Sequence, residues 1–135
     1  MTDIFGLLVY DSWTQTLPQL RSSSGHIRDR HLIFEGNGLI LDLLLKNSGT
    51  SRLIQVGGQI LPGSDPLSNV SHVHVCMEQG GRRSSTHTNA LGEFAFQAVQ
   101  DGSFDVVITL KDRRFIVRGL SNDRPRTWRV VTPSA

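Results

Sequence analysis

Cysteine is almost missing from this chain, with Cys76 alone among 135 residues. No internal disulfide can form, an oxidising compartment is not required, and a packed core must hold the fold. On an alternating strand, Cys76 is expected to serve as a small apolar residue. Tyrosine is equally scarce, with Tyr10 only. Long apolar runs are also lacking. The stretch from Ile4 to Tyr10 is too short to cross a bilayer and follows Asp3 rather than a basic segment. Neither export nor membrane insertion is expected, and the cytoplasm is the expected compartment. Charge is modest at 19% of residues, too little for a disordered chain, while 13 glycines argue against a helical bundle.

Catalytic signatures are missing too. There is no Gly-x-Ser-x-Gly elbow. Neither Gly57-Gly58 nor Gly80-Gly81 is followed by a helix or by Gly-Lys-Ser/Thr, so both read as turn or bulge glycines and not as a phosphate cradle. Cys76 has no activating neighbour legible in the sequence.

What is present is a series of short apolar runs separated by turn residues. Phe5 to Tyr10 reads as an edge strand or one helical turn. Asp11 to Asp29, with Pro18 and Ser22-Ser23-Ser24-Gly25, reads as a loop or arm. His31 to Glu35 and Leu39 to Leu45 flank Gly36-Asn37-Gly38, a hairpin signal. Leu53 to Leu61 reads as a long, bent strand in which Gly57 and Gly58 mark a bulge or a close backbone approach. Val70 to Met77 then alternates, with Val73, Val75 and Met77 on one face and His72, His74 and Cys76 on the other. Further strands are expected over Arg83 to Thr88, Glu93 to Phe96, Ser103 to Leu110 and Arg114 to Val117, with Trp128 to Val131 as a possible last member. Regular short strands and almost no helical period predict an all-β, two-sheet sandwich of about 7–9 strands with an N-terminal arm. The expected organisation is a strand and arm over 1–30, a sandwich over 31–120 and a basic C-terminal segment over 121–135.

From Val56 to about Leu120 the order of features resembles the carboxypeptidase regulatory-like domains, which share the transthyretin-like sandwich. The residues that carry it are Gly58-Gln59-Ile60-Leu61, Val70-x-x-Val73-x-Val75, Thr86-x-Thr88-Asn89-x-x-Gly92-x-Phe94-x-Phe96 and Val99-x-x-Gly102-x-Phe104-x-Val106. Asn89 stands where that family more often has Asp, and either side chain can satisfy local backbone donors. Gly92 and Gly102 fall where tight turns need φ freedom, and Phe94, Phe96 and Phe104 are expected between the sheets. The resemblance implies an accessory or regulatory domain, here as a small standalone bacterial protein. Two enzyme groups similar in architecture do not transfer. Hydroxyisourate hydrolases end in Tyr-Arg-Gly-Ser, against Val131 to Ala135 here, and intradiol dioxygenases need two tyrosines at iron.

No catalytic residue, cofactor or resident metal is therefore expected. The nearest approach to a ligand set is His72 and His74 on one strand with His87 on the next, since positions two apart share a face and the adjacent strand lies about 5 Å away. The basic stretch Lys111 to Ala135 places seven Lys and Arg residues against Asp112 and Asp123. Within it, Arg124, Arg126, Trp128 and Arg129 are the candidate partner-binding residues, because Trp and Arg are favoured interface anchors. The expected function is a non-catalytic protein-interaction module whose partner is another protein. Metal binding or catalysis through His72, His74 and His87, and nucleic-acid binding through the basic stretch, are the alternatives.

Overall fold

The computed structural model of the protein describes residues 1–14, 29–47, 53–64, 69–100 and 102–122. Ten strands and no helix are found among them: β1 (Thr2–Phe5), β2 (Leu7–Asp11), β3 (Arg30–Gly36), β4 (Leu39–Asn47), β5 (Leu53–Leu61), β6 (His74–Gln79), β7 (Arg82–His87), β8 (Glu93–Gln100), β9 (Phe104–Thr109) and β10 (Arg113–Leu120). They form two five-stranded sheets, ordered β1-β10-β9-β6-β7 and β2-β3-β4-β5-β8. This is the expected all-β sandwich. The count exceeds the expected seven to nine because the N-terminal run, read from Phe5 to Tyr10 as an edge strand or one helical turn, is preceded by a separate strand from Thr2 and the two part at Gly6 to join different sheets. The expected strand over Trp128 to Val131 and most of the expected arm lie outside the described residues.

Period-two alternation builds the core. Leu39, Leu41, Leu43 and Leu45 of β4 are fully buried, while Ile40, Asp42 and Leu44 face the other way. They meet Val75, Val106, Ile108, Phe104 and Phe115 from the opposite sheet in one apolar cluster. Each such side chain taken out of water contributes about 1.5–3 kcal/mol, which makes this layer the main source of stability. Phe94 and Phe96 share the inner face of β8, with ring centres 6.2 Å apart at 69°.

The turns follow local chemistry. Asn37 and Gly38 close the β3–β4 hairpin with φ of 51° and 81°, the left-handed pair that a two-residue connection needs. Between β7 and β8 the Asn89 carboxamide oxygen accepts from the Leu91 and Glu93 N–H groups, each at 2.9 Å. Asn89 thus satisfies local backbone donors, as expected of an Asn or Asp in a turn. Thr88, 2% exposed, donates its hydroxyl to the Val70 carbonyl at 2.7 Å and accepts from the Val73 N–H at 2.9 Å, fixing the approach to β6. Gly92, at φ 81°, lies so close to the Ile60 carbonyl that a Cβ would fall 2.3 Å from its oxygen.

Gly57 and Gly58 hold no bulge. Both keep regular register with β4 and β8, and the irregularity of β5 lies between Ile54 and Val56. Gly58 is a close approach: a Cβ there would fall 2.3 Å from Phe94 Cζ and 2.9 Å from Leu43 Cδ2, whereas a Cβ on Gly57 would meet nothing within 4 Å. Adjacent glycines point to opposite faces, one filled by a ring and one open. Gly58→Ala is therefore expected to cost about 1–3 kcal/mol through overpacking. Gly57→Ala should stay within about 0.5 kcal/mol of the parent, as open surface positions do. Urea unfolding of the two variants checks this, and equal losses would contradict it.

Candidate functional site

The N-terminal strand is the outermost member of both sheets. β1 lies parallel to β10, pairing Ile4 with Phe115, and β2 lies antiparallel to β3, pairing Leu8 with Phe34. At the crossing the Gly6 N–H donates to the Ile116 carbonyl at 2.9 Å. A Cβ on Gly6 would sit 2.8 Å from Phe115 Cε1 and 3.1 Å from Val117 Cγ2, so the backbone itself lies against the core. With Ile4 and Gly6 inward, the alternate residues Phe5, Leu7 and Val9 turn to solvent, 57%, 70% and 41% exposed. Leu8 and Met1 add to them. Five of the seven exposed large apolar side chains among the described residues thus fall within residues 1–9. Beside Leu7, an open depression of about 450 Å³ continues over Glu35, Gly36, Gly38, Ile40 and Ser64.

Edge strands are usually blunted by lysine, proline, charge, shortness or a bulge; here β1 and β2 are short and β2 is irregular between Leu8 and Tyr10. Thr2 to Asp11 carries no Lys and no Pro. Its two acidic side chains are engaged by the protein's own arginines. Asp3 receives two hydrogen bonds from Arg114, both 2.9 Å, and the Arg114 guanidinium lowers the Asp3 pKa. Arg118 lies with its guanidinium carbon 5.2 Å from the Phe5 ring centre. The other outer strands differ. β7 presents Arg82, Arg83, Ser84 and Ser85 to water, and β8 exposes Glu93, Ala95, Gln97 and Gln100.

A latch fixes the far end of β2. Asp11 is buried and accepts from Arg30 Nε at 3.1 Å, Arg30 Nη2 at 2.7 Å and the Trp13 N–H at 3.1 Å. Arg30 also donates to the Ser121 carbonyl at 2.7 Å and lies with its guanidinium carbon 4.5 Å from the Trp13 ring centre. Burial pushes the Asp11 carboxyl up, but the Arg30 hydrogen bonds, the Trp13 N–H and the Arg30 charge together outweigh it, and its pKa ends below the usual value.

The histidines are only partly gathered. His74 and His87 are direct partners across β6 and β7, their ring centres 5.4 Å apart. His72 is not on the strand but in the preceding turn, at φ 56°, where its N–H donates to the Thr88 carbonyl at 3.1 Å. Among the described residues no three His, Cys, Asp or Glu side chains come together as a metal site. Cys76 sits half-exposed on the outer face, between Ser85 and Val107, and not in the core. Among the histidine contacts, sequence reasoning missed His31 Nε2 and Asp42 Oδ1, 2.7 Å apart on the outer face of the second sheet, with the Tyr10 ring edge-on to the imidazole at 5.4 Å. The hairpin turn at Asn37-Gly38 carried that signal, because it fixes the register that makes the two residues diagonal neighbours. Arg124, Arg126, Trp128 and Arg129 lie outside the described residues.

Among the described residues no helix is long and apolar enough to cross a membrane. Comparison with protein-family models, curated proteins and solved structures gave no match.

The latch makes stability pH-dependent. Asp11 titrates lower in the folded chain than in the unfolded one, so its charge favours folding in full above the unfolded value near 3.8 and ceases to do so as pH falls through the folded value. Asp11→Asn should cost about 1–3 kcal/mol at neutral pH. The gap between parent and variant should close on acidification below pH 4, read by denaturant melts at a series of pH values.

Proposed function

We propose that this protein is a non-catalytic interaction module of the carboxypeptidase regulatory-like type, acting as an accessory or regulatory component of a larger cytoplasmic system. Its docking edge is the N-terminal strand, which takes an extended, largely uncharged apolar segment of another protein as an additional strand. The observation that carries this reading is the concentration of exposed Phe5, Leu7, Leu8 and Val9 on a strand outermost in both sheets. Strand addition draws affinity from main-chain hydrogen bonds and specificity from alternate side chains. It needs no reactive group, which suits a chain without an elbow serine or an assembled catalytic cluster among the described residues. The internal pairing of Asp3 and Asp11 favours an apolar partner strand, since a charged one would find no free counter-charge on the strand itself. The family resemblance supports an accessory role, and the single cysteine suits a reducing compartment.

The test uses the full chain and its Leu7→Lys/Val9→Lys variant as baits in the native cell extract, followed by reconstitution with the purified retained protein. Both substituted side chains point to water, so the melting temperature should be unchanged. Affinity for the retained protein should fall about tenfold or more, the equivalent of ~1.4 kcal/mol. Equal affinity of parent and variant would remove the N-terminal strand as the docking edge.

A further inference from the structure

One row on the outer face of the first sheet starts at the N-terminal strand and ends on β7, the strand at the opposite side of that sheet. It runs Asp3, Arg114, Thr109, His74, His87 across β1, β10, β9, β6 and β7. At one end Asp3 and Arg114 neutralise each other. At the other, two imidazoles stand directly opposite on neighbouring antiparallel strands, with centres 5.4 Å apart and planes inclined at 69°. His74 is half-buried and His87 exposed. The next outer-face row begins one step along with Cys76 and Ser85.

We propose that His74 and His87 form a two-imidazole site for a divalent transition-metal ion of the zinc, nickel and copper class. The spacing is that of a chelate. An ion about 2.0–2.1 Å from one nitrogen of each ring, at a roughly tetrahedral angle, sets the ring centres about 5 Å apart. The inclination of the planes is no obstacle, because each ring turns about its own metal–nitrogen bond and the last side-chain torsion of histidine is broad. Facing positions on β6 and β7 hold both ligands on rigid backbone, so little ordering is left to pay on binding. Imidazole selects the metal class: it suits zinc, copper and nickel, whereas magnesium and calcium require oxygen donors. Among the described residues no third His, Cys, Asp or Glu joins the pair, so water completes the coordination shell and the ion keeps open positions. His72, tied into its turn, takes no part. Bound there, the ion ties β7, an outermost strand, to β6 and so stabilises the folded chain.

Calorimetric titration of the metal-free full chain with Ni²⁺ and with Zn²⁺ at slightly alkaline pH tests the site. One ion per chain is expected. His74→Ala and His87→Ala should each weaken binding about tenfold or more, while His72→Ala, His31→Ala and Cys76→Ser leave it within about twofold. Zn²⁺ should raise the melting temperature of the parent and not that of His87→Ala. The proposal is overturned if the parent shows no saturable binding, if either alanine variant of the pair binds as the parent does, or if loss of His72, His31 or Cys76 weakens binding as much as loss of His87.

Discussion

A strand that serves two sheets at once has to pass over the open side of the core, and the passage at Gly6 is the constraint on which the rest of the surface depends. The backbone there lies within contact distance of Phe115 and Val117, which a side chain would displace. The crossing covers the side of the apolar layer where β10 and β3 would otherwise stand as edges. It also sets phase. Once Ile4 and Gly6 are inward, the two-residue period sends Phe5, Leu7 and Val9 outward. The apolar stripe is thus a direct consequence of how the core is closed. The irregularity between Leu8 and Tyr10 then resets the alternation so that Asp11 reaches Arg30.

The strand's charges reinforce its character. Asp3 and Asp11 are held by Arg114 and Arg30, and so present little uncompensated charge along the edge. Asp11 does this at the shielded end of β2, where burial opposes ionisation and the guanidinium with the Trp13 N–H restores it. β7 shows the contrasting solution, an outer strand covered in Arg, Ser and Thr that discourages pairing. The two outer strands of the first sheet thus differ in their side chains, polar and charged on β7 and largely apolar on the N-terminal strand.

Neighbouring residues of one type carry opposite meanings here. Gly58 exists because the Phe94 ring fills its place, while Gly57, one residue away, fronts open space between Leu44 and Ala95. His72 and His74 are two apart and look equivalent in an alternating run, but the run becomes a strand only at His74. The turn before it, held by the buried Thr88 hydroxyl, removes His72 from the face and leaves His74 to meet His87.

The sequence by itself determined the sandwich, because period-two burial and the turn residues between runs are local properties that each segment displays alone. It determined the φ freedom at Gly92 and Gly102, the Asn89 turn chemistry and the buried positions of Phe94, Phe96 and Phe104 for the same reason. Tertiary structure decided which strand closes both sheets, which of the three histidines meet, and that His31 reaches Asp42. Those outcomes depend on which strands become neighbours and in what register, and no single segment encodes its neighbour: the pairing emerges only when distant segments bury their apolar faces against one another.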